Sequence, residues 1–210
     1  MERRWETGRT EAFSDGVFAI AITLLVLDIR IPETAFDDLW QAIIDQWPAY
    51  LGYATSFLTI GGFWLAHHGL FRRLQFVDDA LMRLNLILLM VLSFLPFPTR
   101  LVAEAFHNAE AERAAVLFYG GCLLTASIVL AAMWRLVALR ADSLLKPEVR
   151  ESDLQTILRY SEPNVGFYVI ASVVAIWAPR ASAIMYLVIA VNLVVRAPSD
   201  HHPIAAIPED

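Results

Sequence analysis

Ionisable side chains are scarce in this sequence, so the few inside apolar stretches carry most of the chemical information. The segment RTEAFSDGVFAIAITLLVLDIRIP places Arg9, Glu11 and Asp15 where a strongly apolar run begins. A carboxylate there is costly in an apolar medium and marks either a function or a fixed internal partner. The adjacent pair His67 and His68 lies in a second apolar run. On a helix they stand about 100° apart, and no HExxH spacing or third ligand joins them into a metal site. No serine sits in a GxSxG turn, and no glycine-rich phosphate loop occurs. Cys122 is the single cysteine, which excludes an internal disulfide and a zinc cluster. His201 and His202 fall in a polar tail. These residues assemble no catalytic, metal or cofactor site, and the chain is not expected to be an enzyme.

The elements that would hold such residues are membrane helices. Of the 210 residues 58% are hydrophobic and 18% charged, with a mean hydropathy of +0.53. A soluble domain is about 45–50% apolar and about 25% charged. The net charge of −6 argues against a nucleic-acid partner. The first residues are charged and lack a compact apolar core before a cleavage site, so no cleaved signal peptide is expected. A crossing helix needs roughly 20 apolar residues. Six spans are expected, over 13–31, 48–71, 80–102, 113–136, 164–178 and 181–195, in one all-α membrane domain over 1–196. Pro32 ends the first span. The last two are short and are either a fully crossing hairpin or a re-entrant pair. Full crossing is expected, because both are apolar almost throughout.

With both termini cytoplasmic, twelve of the sixteen basic residues fall inside, and only Arg30, Arg100, Arg113 and Arg180 fall outside. That is the positive-inside asymmetry. The outer loops gather Glu33, Asp37, Asp38 and Asp45, then Glu104, Glu110 and Glu112, as solvated acidic faces. Trp40, Trp47, Trp64, Trp134 and Trp177 mostly lie near span ends, where interfacial anchors belong. The polar stretch 141–162 reads as an interfacial helix, and 197–210, with three prolines, as an unstructured tail.

Helical geometry divides the first span into two faces. At 100° per residue Ile20 and Leu27 are about 20° apart, with Phe13, Gly16 and Leu24 on the same stripe and Thr23 at its edge. Asp15 lies about 140° from Ile20 on the same wheel. One face is an apolar ladder and the other carries an acid, which needs partners from other helices. Candidates at similar depth are Trp64, His67, Arg83 and Asn85, while Ser14 suits a helix cap or a bond across helices. Arg9, Ser14, Asp15, His67 and Asn85 would then bind three helices together.

Arg9-x-x-x-Phe13-Ser14-Asp15, followed by GVFAIAITLLVLDI, closely resembles the signature opening the first helix of the transmembrane protein 175 family. The resemblance continues in Trp64-x-x-His67, Leu84-Asn85 and Phe94-Leu95-Pro96, across roughly the first hundred residues. These are potassium-conducting channels, lysosomal in animals and widespread in prokaryotes. The resemblance implies six helices per chain, a homotetramer in a prokaryotic cell membrane, and a pore lined by the first helix. It implies apolar pore constrictions at Ile20 and Leu27, with Leu24 between them. Thr23 becomes a polar ring, and selectivity falls to Ile20 and Thr23. Arg9, Phe13, Ser14, Asp15, Trp64, His67 and Asn85 would hold the first helix to its neighbours. The permeant ion is potassium, weakly preferred over sodium, with no cofactor.

The absence of TVGYG fits this reading. For Thr23, a hydroxyl bonded back to the carbonyl of Ala19 is an equal alternative to a selectivity role. Asp28 and the acidic outer loop would enrich cations at the mouth. The competing functional class is a proton-conducting or proton-coupled carrier using Asp15 and His67. Carriers more often carry inverted repeats and broken helices, and neither is visible.

Overall fold

The computed structural model describes residues 5–31, 33–106, 108–149 and 164–195. A two-residue strand β1 (Trp5–Glu6) leads into α1 (Thr7–Leu24), which tightens into a 3₁₀ turn over Leu25–Asp28. A second 3₁₀ segment (Glu33–Asp38) and the short α2 (Leu39–Asp45) precede α3 (Trp47–Phe71). Strand β2 (Phe76–Val77), α4 (Asp79–Phe94), α5 (Pro96–Ala105), α6 (Ala109–Leu139) and α7 (Ala141–Leu144) come next. The described chain closes with α8 (Asn164–Ala175) and α9 (Pro179–Val195).

Local chemistry sets these boundaries. Asp78 accepts from the Leu81 amide at 2.8 Å and starts α4, while Asn108 accepts from the amides of Glu110 and Ala111, both at 3.1 Å, and starts α6. Such caps satisfy amides that a helix start leaves without partners. Pro96 and Pro98 lack amide donors, so the ladder breaks at Leu95 and one expected span becomes the pair α4 and α5.

α1 starts at Thr7, six residues before the expected edge, and leaves helical geometry after Asp28, before Pro32. The helical segment of 3₁₀ and α2 character over 33–45 has no counterpart in the sequence reading. Of the interfacial helix expected over 141–162, the structure describes α7 and a turn; 150–163 and the tail 197–210 lie outside the described residues.

Among the described residues, three stretches are long and apolar enough to cross a membrane: Thr7–Asp28, Asp79–Ala105 and Ala109–Leu139. α3 has the length, at 25 residues or about 37 Å. It carries Thr55, Ser56, Thr59 and His67, all of them buried within the bundle. α8 is shorter, and with α9 forms a hairpin closed by Ser182 Oγ donating to the Ala171 carbonyl at 2.8 Å.

The core runs between α3, α4, α6, α8 and α9 through Ile60, Phe63, Leu88, Leu92, Leu123, Tyr168 and Tyr186. Inside a bilayer such a core gains from close packing rather than from removal of water, so small residues at crossings matter. Gly120 is one: a Cβ there would lie 2.8 Å from Tyr186 Cζ and 2.9 Å from Ser172 Oγ. At one end of the bundle β1 pairs antiparallel with β2, Trp5 opposite Val77 and Glu6 opposite Phe76. Asp78 there takes the Arg140 guanidinium in an ion pair.

Trp64 and Trp134 correct the expectation of interfacial anchors. Trp134 is buried, and the Trp64 indole turns inward to the Asp15 carboxylate, whereas Trp40 and Trp177 are about three-quarters exposed.

Candidate functional site

α1 shows two chemically distinct faces. Thr10, Ser14, Phe18, Ala21 and Leu25, spaced by three or four residues, are buried against the chain's own helices. Phe13, Ile20, Leu24 and Leu27 are 56%, 60%, 41% and 60% exposed on the opposite side. Thr23 lies on that open side as well. In the 3₁₀ turn side chains three apart eclipse, so Leu27 stands directly over Leu24. From Ile20 to Leu27 the stripe rises about 12 Å.

The closed face is held by a hydrogen-bond network with defined proton positions. The Trp64 indole N–H donates to Asp15 Oδ1 at 2.8 Å. Asn85 Nδ2 donates to Ser14 Oγ at 3.0 Å, and the Ser14 hydroxyl donates to the Thr10 carbonyl at 2.9 Å. Asn85 Oδ1 lies 2.8 Å from His67 Nε2. An amide oxygen only accepts, so His67 carries a proton on Nε2. His67 and Asn85 are fully buried, and the imidazole stacks on Phe71 with centroids 4.2 Å apart and tilts against Phe18 at 5.3 Å. Thus α1, α3 and α4 are joined through Ser14, Asp15, Trp64, His67 and Asn85.

A second set of contacts fixes the start of α1. His68 Nδ1 lies 3.0 Å from the Glu11 carboxylate, and its ring stacks on Trp64 at 5.6 Å. Thr7 Oγ1 donates to the Gln75 carbonyl at 3.1 Å, and Trp5 Nε1 donates to Asp79 at 3.0 Å. Among the described residues the helix is therefore tethered along one side, and its other side is exposed.

Three sequence expectations change here. Arg9 and Phe13 do not join the network: both are exposed, Phe13 on the open stripe. Of the four candidate partners, Trp64 bonds Asp15 and Asn85 bonds Ser14, while Arg83 is exposed and drops out. Thr23 Oγ1 donates to the Ile20 carbonyl at 2.9 Å rather than to Ala19. That bond engages the hydroxyl proton and leaves the oxygen with lone pairs that can still accept.

The sequence reading missed two polar features. Glu112, expected among solvated loop acids, is 4% exposed and accepts from Arg180 Nε at 3.1 and 3.4 Å. A buried row of hydroxyls, Thr99, Ser56 and Tyr119, runs between α5, α3 and α6. The signal for both was a polar residue set in or against an apolar run; what hid them is that their partners lie 43–68 residues away. Among the described residues no group of His, Cys, Asp or Glu side chains could hold a metal ion.

With this geometry in place, comparison with known proteins is informative. The sequence profile of the family described as the endosomal/lysosomal potassium channel TMEM175 matches residues 9–96, which include the α1 signature and the Trp64, His67 and Asn85 positions. A potassium channel of Streptomyces collinus is 39% identical over 180 residues, covering 85% of this chain and 87% of the relative. A potassium channel of Chamaesiphon minutus is 39% identical over 178 residues, covering 82% and 87%. The crystal structure of a lysosomal potassium-selective channel TMEM175 homolog from Chamaesiphon minutus superposes with a TM-score of 0.82 at 34% identity, over 92% of this chain and 98% of that one.

Proposed function

The chain belongs to the TMEM175 family of potassium channels, and from that premise we propose that it is a potassium-permeable leak channel whose ion path is lined by α1. The observation that carries the reading is the contrast between the two faces of α1. An apolar stripe about 12 Å long is left uncovered, while the other side of the helix is tied to α3 and α4 by hydrogen bonds. Four copies around an axis would bring four such stripes together, with Ile20 and Leu27 as apolar rings, Leu24 beneath Leu27, and Thr23 as a ring of oxygen acceptors. The homotetramer, the six crossings per chain, with both termini cytoplasmic in a prokaryotic cell membrane, and the single membrane domain over 1–196 belong to the same proposal.

An apolar ring has no oxygens with which to replace an ion's hydration shell, so it discriminates by width and by the cost of dehydration. Potassium, the more weakly hydrated ion, passes more readily than sodium, and the preference is weak. The same rings gate by dewetting when they narrow. Asp15 and His67 engage neutral partners inside the chain, which supports a structural role for them over a titrating one.

Flux into liposomes tests the reading. Purified protein should pass potassium down its gradient, and Ile20→Asn, which replaces the apolar ring with amides, should change rate or potassium-over-sodium preference several-fold. Wild-type flux insensitive to Ile20→Asn would remove α1 from the ion path.

A further inference from the structure

A cavity of about 250 Å³ lies between α3, α5, α6 and α9, at the end of the bundle remote from β1 and β2. No α1 residue lines it, so the cavity's chemistry does not depend on α1 lining the ion path. Its walls are apolar, with Leu51, Val116 and Ile184 contributing. Its polar floor has one direction of hydrogen bonding throughout. Thr99 donates to the Leu95 carbonyl at 2.8 Å. With that proton engaged, Ser56 Oγ must be the donor to Thr99 at 2.7 Å, and Tyr119 the donor to Ser56 at 3.0 Å. Thr55, beside them, donates to its own helix at Leu51. The hydroxyls of Thr55, Ser56 and Thr99 therefore have their protons engaged and lone pairs remaining.

The rim carries the ion pair of Glu112 with Arg180, whose guanidinium also sits 4.8 Å over the Phe106 ring. Each feature excludes a class of occupant. Glu112 and Arg180 neutralise one another, so a cation or an anion would lose its hydration against apolar walls with no counter-charge left to replace it. A bare acyl chain would leave the floor acceptors dry in an apolar enclosure. What remains is a neutral molecule with an apolar body and one hydrogen-bond donor.

We propose that this cavity is a binding site for a small neutral alcohol, best an alkylphenol, with its hydroxyl donating to the Ser56–Thr99 floor and its body against Leu51, Val116 and Ile184. A cavity of about 150 Å³ accommodates benzene, so this one suits a compound of about ten heavy atoms.

The test is titration calorimetry of the purified full chain in detergent micelles, with empty micelles as blank. The probes are 4-propylphenol and its ether analogue 4-propylanisole, which lacks the donor. The phenol should bind saturably, at least about tenfold more tightly than the ether, as one hydrogen bond to an otherwise dry acceptor implies. Val116→Phe and Gly52→Leu fill the cavity and should each abolish phenol binding. Gly52 lines the cavity, and a Cβ there would sit in van der Waals contact with Thr99 Cγ2 at 3.4 Å. Thr99→Val keeps the shape but frees the Ser56 proton to point into the cavity, so the preference for phenol over ether should fall to parity or reverse. Equal binding of phenol and ether to the wild type overturns the proposal, as does no phenol binding beyond the micelle blank. Phenol binding that survives both filling variants overturns it too.

Discussion

Asn85 is the junction of the α1 anchor, and Asn85→Ala should be among the most damaging single changes in the chain. Its carboxamide donates to Ser14 on α1 and accepts from His67 on α3. Losing the two hydrogen bonds removes about 1 kcal/mol each, and the stranded His67 Nε2–H adds roughly 1–3 kcal/mol for a buried donor without a partner. The carboxamide vanishes from a fully buried site, leaving a void of roughly 40 Å³ that adds about 1 kcal/mol. The total is about 4–6 kcal/mol. For a chain of this size that lowers the melting temperature by on the order of 10 °C. Thermal unfolding of the purified protein in detergent, followed by circular dichroism, measures it. The double change with His67→Phe isolates the buried donor. Once the imidazole is gone there is neither a His67 bond to lose nor a stranded N–H, so Asn85→Ala should cost about 2–4 kcal/mol less in that background. A melting temperature unchanged by Asn85→Ala, or strictly additive effects, would refute the network as the tether of α1.

Two further outcomes come from geometry. Gly120→Ala places a methyl against Tyr186 and within 2.9 Å of Ser172 Oγ, so the Tyr186 and Ser172 side chains, or the helices that carry them, must give way; destabilisation of about 1–3 kcal/mol is expected from overpacking and is read in the same melting experiment. Thr23→Val preserves shape and removes the hydroxyl oxygen. If the four hydroxyl oxygens assist potassium, reversal potentials under mixed potassium and sodium gradients should move toward equality while the protein melts at the wild-type temperature.

How much of this was readable from the sequence varies by residue, for physical reasons. The faces of α1 were accessible because the 100° step of a helix is rigid, so the positions of Phe13, Ile20, Leu24 and Leu27 relative to Ser14 and Asp15 do not depend on tertiary context. The partners of Asp15 and Ser14 were narrowed correctly to a short set containing Trp64 and Asn85, because few polar side chains occur at a matching depth. Arg9 failed because a long cation at a helix start can serve solvent as easily as a carboxylate. The back-bond weighed for Thr23 forms one residue later, to Ile20 instead of Ala19, since the carbonyls three and four positions back are nearly equidistant from a threonine hydroxyl. Glu112 was read as a solvated loop acid because nothing local distinguishes it from Glu110; only the arrival of Arg180 from α9 removes it from water. The Tyr119–Ser56–Thr99 row is likewise a product of three helices meeting, and single hydroxyls in apolar runs carry no directional signal.

Whether the open stripe of α1 faces the ion path is decided by potassium flux through Ile20→Cys, in a Cys122→Ser background, before and after a charged thiol reagent, with Phe18→Cys as the buried-face control. Ile20 is 60% exposed and Phe18 2% exposed on the opposite side of the same helix. With the stripe in the path, the reagent blocks flux through Ile20→Cys and leaves Phe18→Cys untouched. Labelling of Ile20→Cys with flux unchanged would contradict a pore lined by α1.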